Sequence, residues 1–178
     1  ALLILLTCFS GMRYDYNDTW NYVSIFRNSP FFLERVRGEF DVFGNPLFYL
    51  FLSAFKSFFN NEYAFLFVTA AFTQFSFLLF IKRYSVNFTF SIFLYFTLGT
   101  FCFTMAALKQ VLAMSILLLA IPYLERKQML RYYLLVFLAM TVHTYAMAFA
   151  LLPLFRFRPW SAFTFLFLGA VVAVMMNF

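Results

Sequence analysis

The chain has 178 residues, of which 65% are hydrophobic, 25% aromatic and only 11% charged. Ordinary soluble domains carry roughly 25% charged residues, and a chain this short has too much surface for its volume to hide so many apolar side chains from water. Composition therefore excludes a water-soluble domain. The net charge of +6 does not imply nucleic acid, because the 13 Lys and Arg are dispersed in short clusters between apolar runs, as membrane-flanking charges are.

The apolar runs approach the ~20 residues that a helix needs to cross ~30 Å of hydrocarbon. They lack the strict alternation of a lipid-facing barrel, so the expected fold is an all-α, polytopic transmembrane helix bundle. Residues 1–10 read as the tail of a first span and 11–45 as a polar outer loop. Residues 46–59 are apolar but short for a crossing, which fits a re-entrant or interfacial helix opened by Pro46 at its first turn. Full spans are expected at 63–81, 86–105, 107–124 and 132–155, with a last run at 160–178. The sum is about six or seven membrane segments in a single transmembrane domain over 1–178. Both ends fall inside apolar runs, so the chain is expected to be part of a longer one. Cys8 and Cys102 lie in apolar segments without metal-ligand spacing and read as small core hydrophobes.

Orientation follows from Lys and Arg. Lys82-Arg83 and the Arg126, Lys127 and Arg131 cluster are separated by two expected spans, so they share a side, and the positive-inside rule makes it cytoplasmic. The loop at 11–45, the Lys109 region and Arg156–Arg158 then lie outside, the last pair against the rule.

Five of the seven acids, Asp15, Asp18, Glu34, Glu39 and Asp41, lie in residues 11–45 together with Arg13, Arg27, Arg35 and Arg37. Cations suit phosphate and carboxylates suit sugar hydroxyls or proton transfer; the plain alternative is a solvated, self-paired loop, with Asp18 capping a short helix through Phe26. Lys109 and His143 stand at membrane depth, where ionisable groups are costly and usually face a bundle interior or wet cavity. His143 is expected near the middle of a helix over 132–155, about 12 residues or ~18 Å from its outer end, on a small-residue face with Ala139, Ala146 and Ala150. A packing histidine and a snorkelling lysine are the alternatives. No metal cluster, phosphate loop or dinucleotide fingerprint is present in the sequence.

Several of these residues fall into a known pattern. Met12-Arg13-Tyr14-Asp15-Tyr16-Asn17-Asp18-Thr19-Trp20-Asn21-Tyr22 resembles the opening of EpsG-like, Wzy-type polysaccharide polymerases. Glu39 and Asn45-Pro46-Leu47-Phe48-Tyr49 resemble the Glu and helix start that follow it. Lys109-Gln110 with Ala113 is similar to the family's Arg-Gln-x-x-Ala, and Ala139 to His143 to its Ala-x-x-x-His. Lys109 departs from the usual Arg, keeping the charge without the bidentate fork.

The resemblance implies a membrane-embedded glycosyltransferase with a C-type-like bundle in the bacterial cytoplasmic membrane. It would join undecaprenyl-diphosphate-linked repeat units into an exopolysaccharide or surface polysaccharide, without a cofactor or metal, beside other polysaccharide assembly proteins. It implies catalytic roles for His143, Asp18 and Glu39, and diphosphate binding by Arg13, Lys109, Gln110 and Tyr22. The rival readings are a lipid-linked-oligosaccharide flippase, a non-catalytic subunit of an envelope assembly complex, and a membrane acyltransferase.

Overall fold

The computed structural model describes residues 1–38 and 44–157, and beyond these 161–162, 165–166, 169–170 and 173. Every regular element among them is helical: α1 (Leu2–Gly11), α2 (Thr19–Asn28), α3 (Phe32–Arg37), α4 (Pro46–Phe58), α5 (Glu62–Tyr84), α6 (Phe88–Thr97), α7 (Thr100–Ala106), α8 (Leu108–Glu125), α9 (Met129–Val142), a 3-10 helix (Thr144–Leu151) and α10 (Leu152–Phe157). The chain divides into two compact units, Ala1–Met147 and Ala148–Phe178. The second contains α10, with Pro153 buried in it; the candidate site lies in the first.

α5 shows what surrounds this protein. Its buried face carries Thr69, Thr73, Gln74 and Ser76, while Phe67, Val68, Phe72, Phe75 and Leu79 are exposed. A surface helix of a soluble protein has the opposite arrangement. Apolar side chains outside and small or polar ones between helices are how membrane bundles pack. The helix begins where Asn61 accepts the free N–H groups of Tyr63 (2.9 Å) and Ala64 (3.1 Å), and it ends on Lys82 and Arg83, cations that suit the negative end of the dipole.

The polar groups that point inward find one another. The Gln74 side-chain amide, fully buried, donates to Ser10 Oγ at 3.2 Å and Thr104 Oγ1 at 3.0 Å, and its carbonyl accepts from the Tyr95 hydroxyl at 3.0 Å. One side chain thus joins α1, α5, α6 and α7. At the same end of α1, Gly11 lies against Phe67; a Cβ there would sit 2.6 Å from Phe67 Cδ2 and 3.0 Å from its Cα.

Two expected spans are broken, and both breaks correct the reading of the sequence. Residues 86–105 fold as α6 and α7, bent by 56°, because Gly99 turns the chain through φ +75, a left-handed backbone that glycine adopts without penalty. Residues 132–155 do not form one helix either: α9 stops at Val142, and His143 takes an extended backbone with φ −153 and ψ 119. Among the described residues two helices, α5 and α8, are long and apolar enough to cross a membrane, and a third crossing results if the bent pair counts as one. The other apolar helices, α1, α4, α9 and the Thr144–Phe155 stretch, are shorter.

α5 and α8 run parallel. Their first halves share the groove lined by Val68, Phe72, Leu112 and Ile116, and at their last turns the Tyr84 hydroxyl donates to Glu125 Oε2 at 2.7 Å, with Arg83 3.9 Å from the same oxygen. Lys82-Arg83 and the Arg126–Arg131 cluster therefore sit at one end of the bundle. α2 to α4 gather at the other. The polar segment there is folded rather than a plain loop: Phe26 is buried against Phe65 at 5.3 Å between ring centroids, Lys56 donates to the carbonyls of Arg27 and Ser29 at 2.7 Å each, and Arg27 pairs with Glu62 at 2.6 Å.

Replacing Gln74 by Leu leaves the buried Ser10 and Tyr95 hydroxyls without this partner. The expected loss is about 1–3 kcal/mol, read as a lower thermal midpoint of the detergent-solubilised protein. An unchanged midpoint would mean that the hydroxyls re-pair at no cost.

Candidate active site

Arg13 follows α1 directly and is turned back into the protein. Its Nη1 donates to the Ser10 carbonyl at 3.1 Å and its Nε to Thr19 Oγ1 at 3.2 Å. Thr19 in turn donates to the Tyr16 carbonyl at 2.6 Å, so the guanidinium is fixed between the end of α1 and the start of α2. Burial pushes its pKa down to about 10, which leaves it cationic at neutral pH. Of its five N–H donors, these contacts use two.

Tyr22, one turn into α2, is the meeting point. Its ring is buried and stands edge-on to Phe48 at 6.1 Å, and its phenol lies in electrostatic reach of Arg13, Asp18 and Tyr49, facing the backbone of Lys109. Burial raises the phenol's pKa, so at neutral pH it is an uncharged donor. That backbone belongs to the first turn of α8, whose N–H groups have no partner within the helix. Asp18 is the N-cap of α2 but makes no capping hydrogen bond, and its carboxylate is exposed.

Lys109 folds over aromatic rings. Its Nζ is 3.4 Å from the Tyr49 hydroxyl, 5.1 Å from the Tyr49 ring centroid and 5.4 Å from that of Phe48, within the range of cation–π attraction. Gln110, beside it, is exposed, and its side chain makes no hydrogen bond among the described residues.

α9 ends at Val142, so His143 does not stand in the middle of a helix as expected, and it lies within electrostatic reach of the Lys109 ammonium. Its ring stands edge-on to Tyr145 at 5.2 Å. Both ring nitrogens are buried, and neither has a hydrogen-bond partner among the described residues. Buried polar atoms are nearly always paired, so among the described residues this imidazole stands out by having both nitrogens free. Arg13, Asp18, Tyr22, Lys109 and His143 thus form one connected neighbourhood. Glu39 lies outside the described residues.

The comparison with protein families returns a model described as the EpsG family, matched over residues 1–178. The chain belongs to the EpsG family. The resemblance carried by the Arg13–Tyr22 and Lys109–Gln110 segments is thus borne out over the whole chain. Comparison with curated proteins and with solved structures returned no match. Membership makes this a membrane protein of the polysaccharide-polymerase kind.

In this EpsG-family chain the structure adds three residues to which the sequence assigned no individual site role. Tyr49 lies between two cations: besides Lys109, the Arg35 guanidinium carbon is 5.4 Å from its ring centroid, and Arg35 Nε donates to Ser53 Oγ at 3.3 Å. Asn45 is the third. It takes a left-handed backbone with φ 61 as N-cap of α4, and its Oδ1 accepts from the Thr144 N–H at 3.1 Å and from the Thr144 hydroxyl at 3.3 Å. It holds the chain open beside His143. Among the described residues none of Arg13, Arg35 and Lys109 pairs with a carboxylate, and no group of three metal-ligating side chains occurs. Next to the cations, α4, α5, α8 and the end of α9 enclose an apolar groove of about 360 Å³.

Asn45 offers a clean test, because glycine accepts its backbone and lacks only the amide. Asn45→Gly is expected to slow turnover by about tenfold or more, since small misplacements of reacting groups cost that much. Asn45→Asp, which keeps an acceptor oxygen, should retain most of it. Polymer formed by the protein in vesicles is the readout; rates equal to that of the unaltered chain for both variants would remove Asn45 from the site.

Proposed function

We propose that this chain is a glycosyltransferase that polymerises undecaprenyl-diphosphate-linked oligosaccharide repeat units into an exopolysaccharide or surface polysaccharide. It acts in a single multi-pass domain of about six or seven membrane segments, C-type-like in architecture, at the outer face of a bacterial cytoplasmic membrane. The observation that carries the reading is the meeting, among the described residues, of cations without a carboxylate and a buried imidazole without a partner, in a chain of the EpsG family. Other polysaccharide assembly proteins are its natural neighbours.

In this mechanism the Arg13 guanidinium and the Lys109 ammonium, with the Tyr22 hydroxyl and the Gln110 amide, hold the donor's diphosphate. A hydroxyl of the acceptor sugar attacks the anomeric carbon of the donor glycan. The bond from that carbon to the diphosphate oxygen breaks, and its electron pair leaves with the polyprenyl diphosphate. Negative charge grows there in the transition state, where fixed cations stabilise it most. The proton of the attacking hydroxyl passes to neutral His143, whose imidazole suits exchange near neutral pH. Asp18 and Glu39 are the carboxylates available to orient sugar hydroxyls or to take the proton in its place. The orphaned nitrogens of His143 support it as the acceptor.

The bent α6–α7 pair is the feature that favours the flippase reading, since transporters use broken helices. The two readings part on one result. Deleting the gene should leave capped single repeats at the cell surface if the protein polymerises, and no surface glycan of that type if it flips.

His143→Ala and Arg13→Ala are expected to abolish polymer at unchanged protein abundance, with a loss of at least about a hundredfold for the proton acceptor. Polymer of normal length in both would overturn the roles given to them. Lys109→Arg should remain active and Lys109→Ala should not; equal activity would reduce the lysine to an anchor at the membrane surface.

A further inference from the structure

We infer that the groove between α4, α5, α8 and the end of α9 holds the isoprenoid tail of the donor, with the prenyl units nearest the diphosphate lying against Phe48, Phe51 and Phe72. The inference rests on the polymerase reading for the identity of the donor, and on the groove's own chemistry for the rest.

The groove is dry in character. Its lining includes one hydroxyl, that of Thr69, which is used on the carbonyls of Phe65 and Leu66 at 3.0 and 2.9 Å within its own helix. A cavity of this kind stays empty of water and takes apolar matter. Its volume of about 360 Å³ falls in the ~300–1,000 Å³ range of small-ligand sites, enough for the first part of a long chain. Phe51, Val68 and Phe72 along it are exposed, so the remainder of the tail can continue sideways into lipid.

The two walls at its mouth identify the occupant. Phe48 lines the groove and also lies under the Lys109 ammonium at 5.4 Å. Val142 lines it and is followed directly by His143, whose ring nitrogens have no partner among the described residues. A linear amphiphile whose tail fills the groove therefore has its anionic head at the cations and its first head-group bonds beside the imidazole. Three aromatic rings also match the flat, methyl-branched double bonds of an isoprenoid better than the saturated stretches of an acyl chain.

The test uses the whole chain in phosphatidylcholine vesicles and farnesyl diphosphate carrying a diazirine on its first prenyl unit. Photoadducts are expected on Phe51, Phe72, Leu112 and Ile116, reduced by unlabelled farnesyl diphosphate and much less by phosphatidic acid. Adducts confined to α1 or α6, or equal competition by phosphatidic acid, would overturn the inference. Ile116→Trp and Thr69→Leu, which fill the groove, should raise KM for a long-tailed donor about tenfold or more, the usual scale for apolar pocket contacts, with kcat nearly unchanged. They should also erase the preference for long over short tails; an undiminished preference in variants of normal abundance would sink the proposal. If neither variant accumulates, the adduct map of the unaltered chain decides alone. Labelling in the groove by a chain that does not elongate glycans would end the polymerase reading and leave the tail site standing.

Discussion

Hydrocarbon gives a polar side chain nothing to bond to, and most of this molecule follows from that. Every inward hydroxyl and amide must be satisfied by a helix carbonyl or by another helix. Thr69 and Ser76 take the first course, bonding back to their own helix. Gln74 takes the second and collects Ser10, Tyr95 and Thr104 around it. In such surroundings a buried group left unsatisfied stands out; besides the Ser85 hydroxyl just past α5, the two ring nitrogens of His143 are such groups among the described residues. The same constraint that makes Gln74 a structural hub makes His143 a chemical one.

The cations obey a similar logic. Lys56 and Arg27 are used within the fold, the first on the carbonyls that end α2 and the second on Glu62. Arg13, Arg35 and Lys109 instead rest on hydroxyls, a carbonyl and aromatic faces. These partners hold a charge in position without neutralising it, so the attraction for an anion is kept. Placing them beside the uncapped first turn of α8 adds backbone N–H groups of the same sign.

Much of this was legible in the residues, and what was not has identifiable causes. α5 and α8 fall almost where their apolar runs predict, and α4 starts at Pro46 as its proline requires. The bend at Gly99 carries a local signal, a glycine inside an apolar run, whose meaning depends on the φ it adopts. The end of α9 carries none: Ala139 to Ala150 is an unbroken run of helix-compatible residues apart from His143 and Thr144, and the break is held from Asn45, far away in sequence. Local pattern cannot report a hydrogen bond of that range. Tyr49 and Arg35 were equally hidden, since a tyrosine near a helix start reads as an interfacial anchor and an arginine in a mixed-charge segment reads as solvated. The grouping of Arg13, Tyr22, Lys109 and His143 came from a pattern of short matches in order, none of them specific alone.

The clasp of Tyr84 and Arg83 on Glu125 ties the last turns of α5 and α8 together, while their opposite ends are separated by the groove. Two rods joined at the base can spread only at the tip. Any widening of the groove is thereby confined to the half of the bundle that bears the cations.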